Sequence, residues 1–100
     1  MFETQSVVTT PEADRLVRRL CKHWGHKFSV RTDERGGYID FGDACCELVA
    51  TDAALTITLR YQKEQASPLE TVVAEHLQRF VSAGQTLEFT WQQRAPGGQA

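Results

Sequence analysis

The chain has 100 residues, with 11 Lys and Arg against 13 Asp and Glu and a formal net charge of −2. That length supports one hydrophobic core and excludes a second domain. Near-neutral charge excludes a generic polyanion binder of the histone type, and three cysteines exclude a fully paired disulfide scaffold.

The first element in chain order is a strand around residues 5–9. Thr10 and Pro11 then form a start signal for a helix. Ala13, Leu16, Val17, Leu20, Cys21 and Trp24 follow on a 3.6-residue period and make one apolar stripe. Gly25 is the expected stop. From Phe28 the period changes to two. Phe28-Val30-Thr32, Ile39-Phe41, Cys46-Leu48-Ala50 and Leu55-Ile57-Leu59-Tyr61 alternate with more polar residues. Turns are expected at Arg35-Gly36-Gly37, Gly42-Asp43-Ala44 and Asp52-Ala53. Ser67-Pro68-Leu69-Glu70 reads as a capping box with proline in the first turn. Leu69, Val72, Val73, His76, Leu77 and Phe80 form the stripe of a second helix, which Ala83-Gly84 should end. Leu87, Phe89 and Trp91 alternate as a last strand, and Trp24 and Trp91 are expected to close the two ends of the core.

The order is therefore β-α-β-β-β-β-α-β. Two amphipathic helices need an apolar surface and the sheet offers one, so the expected fold is an α+β two-layer sandwich with both helices on one face of an antiparallel sheet. Residues 1–92 form a single domain and 93–100 a flexible C-terminal tail. The order resembles the repeat of the TATA-box-binding-protein-like fold, an analogy that carries no function. Nucleic-acid binding is not expected, because the open sheet face would mix Asp40, Glu47 and Glu88 with Arg31 and Arg60.

No apolar run approaches the ~20 residues that span a bilayer, and Met1 to Gln5 lacks the start of a secretory signal. With its odd cysteine count, the chain reads as cytoplasmic, a monomer or weak dimer. Charge is unevenly placed. Residues 15–35 carry seven basic groups against two acidic, and residues 40–88 eight acidic against three basic. Arg15, Arg18 and Arg19 project from the first helix. The plain reading is a solvated face, and the sharper one is docking to an acidic partner or ligand.

The densest chemistry lies in Leu20-Cys21-Lys22-His23-Trp24-Gly25-His26-Lys27-Phe28. Lys22, His23 and His26 are candidate ligand- or partner-binding residues, with Tyr38 and Asp40. Cys21 and His23 lie about 200° apart on an ideal helix and cannot share a metal there. Cys21, Cys46 and His76 lie on inward-facing positions and could converge as a Cys2His metal set. Against this, buried cysteine ordinarily acts as a small hydrophobe, and no paired-ligand motif is present. No cofactor is expected beyond that possible metal ion. Cys45 points outward and is the better candidate for a reactive thiol, although no histidine adjoins it in sequence. No signature of a nucleophilic, phosphate-binding or zinc-protease site occurs, so no catalytic residue is assigned.

Leu20-Cys21-Lys22-His23-Trp24-Gly25-His26-Lys27, Gly37-Tyr38-Ile39-Asp40-Phe41-Gly42, Cys46-Glu47-Leu48-Val49-Ala50 and His76-Leu77-Gln78-Arg79-Phe80 together resemble a bacterial domain family of unknown function. Domains of that kind occur beside or fused to siderophore-interacting proteins, which are flavin-dependent ferric-siderophore reductases. The resemblance implies an accessory role in siderophore-iron handling, with such a reductase as a partner, and implies no reaction. The leading expectation is a non-catalytic binding module. The alternatives are a metal- or haem-binding protein using Cys21, His23, His26, Cys46 or His76, and a small-molecule enzyme with Tyr38, Asp40 or His23 in a helix-sheet pocket.

Overall fold

The computed structural model describes residues 2–62 and 67–94, with only the backbone of Ser67. Its elements are β1 (Phe2–Thr9), α1 (Ala13–Trp24), β2 (Ser29–Thr32), β3 (Gly36–Asp40), β4 (Ala44–Ala50), β5 (Ala54–Tyr61), α2 (Ser67–Phe80) and β6 (Gln92–Arg94). The fold is the expected α+β order. The strands form one antiparallel six-stranded sheet in the order β2-β3-β4-β5-β1-β6. The first strand begins at Phe2, earlier than expected, and pairs with β5 along its whole length. Among the described residues, no helix is long and apolar enough to cross a membrane.

Alternation decides which face of the sheet is covered. Val8, Ile39, Cys46, Leu48, Leu55, Ile57 and Leu59 are buried beneath the helices. All six stripe residues of α1 are buried with them, so the 3.6-residue period read correctly. Each large side chain so buried is worth about 1.5–3 kcal/mol in transfer terms. The opposite face carries Tyr38, Asp40, Cys45, Glu47 and Arg60, with Val7 and Val49 exposed. There the Arg60 guanidinium reaches Glu47 at 3.1 Å and Glu3 at 3.4 Å.

Several local expectations are corrected. Gly36 and Gly37 belong to β3 and not to the preceding turn. The turn is closed instead by Asp33, whose Oδ1 accepts from the N–H groups of Arg35 and Gly36, both at 2.9 Å. The two glycines serve close packing. A Cβ at Gly36 would collide with the Leu48 carbonyl oxygen, and one at Gly37 with Cys21 Sγ. Gly25 caps α1 in the right-handed region, with φ −63°, its N–H bonded to Cys21 O at 2.8 Å. Thr10 lies just outside α1, and its Oγ1 accepts from Glu12 N–H at 3.0 Å.

α2 stops at Phe80, so Ala83-Gly84 lie beyond the helix. The Glu70 carboxylate of the expected capping box turns toward the sheet, accepting from Thr4 Oγ1 at 2.6 Å and Gln93 Nε2 at 3.2 Å. The Ser67 side chain lies outside the described residues. The last strand forms at Gln92–Arg94, beyond the alternating Leu87-Phe89-Trp91 run. Side chains hold that run instead of a ladder. Leu87 N–H donates to Gln78 Oε1 at 2.8 Å, and Thr90 N–H donates to Ser6 Oγ at 3.2 Å. The sheet thus extends past the expected boundary at residue 92; of the expected tail, residues 95–100 lie outside the described residues. Trp24 closes one end of the core as expected, whereas Trp91 is half-buried and stacks on Phe89 with centroids 6.2 Å apart.

Gly37→Ala is expected to lower stability by about 1–3 kcal/mol through overpacking. Urea denaturation of this variant and of Gly37→Ala/Cys21→Ala checks it, and the second change should recover part of the loss.

Candidate functional site

The stripe on α2 is only partly consumed by the core. Val73 and Leu77 are fully buried, while Leu69, His76 and Phe80 are half-buried and Val72 is 40% exposed. Leu69, Val72 and His76 overhang a cleft of about 600 Å³. Its other walls come from the C-terminal end of α1 and the segment after it (His23, Trp24, Lys27, Phe28), from the β3–β4 turn and the first residue of β4 (Phe41, Asp43, Ala44) and from the end of β5 and the residue after it (Tyr61, Gln62).

Aromatic packing shapes this cleft. Phe41 is the hub, with Trp24 at 5.1 Å and 85° and Phe28 at 4.8 Å and 81°. Edge-to-face rings of this kind contribute about 0.5–1.5 kcal/mol per pair beyond area burial. Tyr61 is stacked by Phe2 at 5.6 Å. On the α2 side the imidazoles of His23 and His76 lie 4.9 Å apart, and His76 packs on Trp24 at 4.8 Å. His76 Nδ1 lies 2.8 Å from Val72 O. A carbonyl only accepts, so Nδ1 carries the proton and Nε2 is left as the second ring nitrogen.

Among the expected ligand-binding residues, only His23 lines this cleft. Lys22 and His26 are exposed and do not line it. Tyr38 and Asp40 lie on the opposite face of the sheet, so of Tyr38, Asp40 and His23, the alternatives for a helix-sheet pocket, His23 alone lines the cleft. Tyr38 lies under the Arg31 guanidinium at 4.8 Å, and a hydrogen bond to Cys45 raises its pKa. Arg15, Arg18 and Arg19 are engaged within the chain. Arg15 bonds Glu12 at 2.8 Å and the Phe80 carbonyl at 2.9 Å, Arg18 pairs with Asp14 at 2.9 Å, and Arg19 lies 5.1 Å over the Phe80 ring. These exposed pairs add only tenths of a kcal/mol, about 0.2–1 each. Arg15 nevertheless joins α1 to the end of α2.

The metal-ligand candidates divide in the same way. Cys21 and Cys46 are buried under the sheet, and His76 is in the cleft. Among the described residues, no group of three or more His, Cys, Asp or Glu is placed to hold a metal ion. Burial pushes both thiols up, and Cys46 is raised further by Cys21, Cys45 and Glu47. Both therefore stay protonated at neutral pH, a poor state for a metal ligand.

Sequence reading missed Trp24, Phe28, Phe41, Tyr61, Leu69 and Val72 as cleft residues. The available signal was the second stripe, which is wider than one sheet edge can cover.

Partial desolvation among the rings lowers the His23 pKa below its ordinary 6.5, and the basic neighbours His76, Arg79, His26 and Lys27 lower it further. The fold then binds less proton at His23 than the unfolded chain does. Stability at this residue is intact above pH 6.5 and falls as pH drops through the window below it. An NMR titration should place the His23 midpoint below 6.5, and His76→Gln should move it back up.

Comparisons with known proteins agree with this architecture. The profile of a family described as "Uncharacterized protein conserved in bacteria (DUF2218)" matches residues 5–92. Among solved structures, the chain is similar to the "NMR structure of PA4090 from Pseudomonas aeruginosa". The two are 45% identical, the match covers 92% of this chain and 96% of that one, and the TM-score is 0.78. No curated protein matches. With the profile spanning nearly all of the described sheet and both helices, the chain belongs to the DUF2218 family of proteins conserved in bacteria.

Proposed function

We propose that the protein is a non-catalytic binding module that takes a small, mainly apolar molecule in the cleft between α1 and α2. The observation that carries this reading is the uncovered half of the α2 stripe facing an aromatic wall across about 600 Å³. Small-molecule sites typically enclose about 300–1,000 Å³ and combine apolar walls with a few polar groups. The lining supplies two imidazoles, one ammonium and one carboxylate among the described residues, with no serine, threonine or cysteine for a nucleophile. That chemistry suits holding a molecule more than transforming it.

The finer part of the proposal links this role to siderophore iron. It rests on the resemblance of the Leu20–Lys27 block to domains that accompany ferric-siderophore reductases. The catechol rings of many siderophores are flat, and such a ring would fit among Trp24, Phe28 and Phe41.

Val72→Trp fills the cleft mouth from an exposed position and should leave the fold intact. In a fragment screen read by amide shifts, the native chain is expected to bind aromatic fragments, and the variant to bind them about tenfold more weakly. Equal binding by both would place the fragments elsewhere and end the cleft reading. Calorimetry with a ferric catecholate and with a purified flavin-dependent siderophore reductase tests the finer part. Heat of binding to either supports it, and none with either overturns it.

A further inference from the structure

The two histidines of the cleft wall have a use that an apolar ligand does not call on. Their imidazoles come from different helices, His23 from the last turn of α1 and His76 from the second half of α2, and lie 4.9 Å apart at an interplanar angle of 55°. From this juxtaposition we propose that the pair is a two-histidine site for an imidazole-seeking divalent ion such as Zn2+, with water or a small oxygen-donor ligand filling the remaining positions. The site stands apart from the apolar-molecule reading of the cleft and does not rest on it.

Spacing is the first support. An imidazole nitrogen binds zinc at about 2.0–2.1 Å and the ring centre lies about 1.1 Å behind it, so two rings on one tetrahedral ion have centres about 5 Å apart. The observed 4.9 Å matches that separation, so the helices need not move and only a ring has to turn. His23 is exposed, which gives its ring that freedom, and Arg15 holds α1 to the end of α2 through the Phe80 carbonyl at 2.9 Å. The second support is the state of His76. With Nδ1–H donated to Val72 O at 2.8 Å, Nε2 keeps its lone pair, and a carbonyl on the far nitrogen is the usual way a metal-binding imidazole is oriented. Desolvation and basic neighbours lower the His23 pKa, so this ring is also neutral at neutral pH, as a ligand must be. Among the described residues no third His, Cys, Asp or Glu completes the set, which makes the site an open one with exchangeable positions and not a closed structural centre.

Titration of the untagged full chain with Zn2+, followed by calorimetry and by NMR of the imidazole protons, tests the site, with Mg2+ as the control. The account expects one Zn2+ per chain, shifted ring signals at both His23 and His76, and a thermal midpoint that rises with zinc because the ion ties α1 to α2. His23→Gln and His76→Gln should each weaken binding about tenfold or more, whereas His26→Gln and Cys45→Ser should leave it within about twofold. No zinc binding, or Mg2+ bound as well as Zn2+, would overturn the site. So would zinc retained by both glutamine variants at positions 23 and 76 but lost in His26→Gln or Cys45→Ser. If a glutamine variant fails to fold, the native chain decides, because zinc bound with the His76 ring signals unmoved contradicts the pair. Aromatic fragments bound in the cleft without any zinc binding would overturn the metal site and leave the binding-module reading standing.

Discussion

The close approach of α1 to β3 is the constraint on which the other features depend. Gly37 has no side chain, so Cys21 and Val17 settle directly on the strand. That contact sets the height of the helix above the sheet. With the helix low, Trp24 at its C-terminal end reaches Phe41 and closes the core, and its ring becomes the floor of the cleft. Cys21 thus matters as a small packing group opposite a glycine. Its burial, which keeps the thiol protonated, follows from the same contact.

α2 supplies the complementary half. It is anchored at both ends by polar contacts. Near its start, Glu70 takes hydrogen bonds from Thr4 and Gln93. Just past its end, Glu12 accepts from Ser82 N and Oγ, and Arg15 donates to the Phe80 carbonyl. Between these anchors Val73 and Leu77 reach the core, while the neighbouring line of Leu69, Val72 and His76 faces the cleft. A helix stripe of this width buries half of itself and leaves the rest uncovered. The aromatic wall opposite gives the cleft its chemical character.

The fold was legible in the sequence because burial here follows simple periods. The stripe of α1 and the inward positions of β3, β4 and β5 could be read residue by residue. The segment from Leu87 to Trp91 misled because alternation marks an extended chain, while a strand also needs a partner. Ser6 and Gln78 side chains satisfy that segment, and the ladder begins only at Gln92. The glycine pair misled because glycine marks turns and close contacts alike. The cleft was barely legible. His23 was chosen for its chemistry, but its neighbours come from α1, α2, the β3–β4 turn and β5, and only the register of the sheet brings them together. Tyr38 and Asp40 face the other side because their neighbours in sequence, Ile39 and Phe41, point inward.

Intermolecular NOEs between a bound aromatic fragment and the protein test the central claim most directly, because they locate the ligand without relying on any substitution. The account predicts contacts from the ligand ring protons to Trp24, Phe41, Leu69 and Val72. Contacts instead to Tyr38, Glu47 and Val49, on the outer face of the sheet, would contradict it.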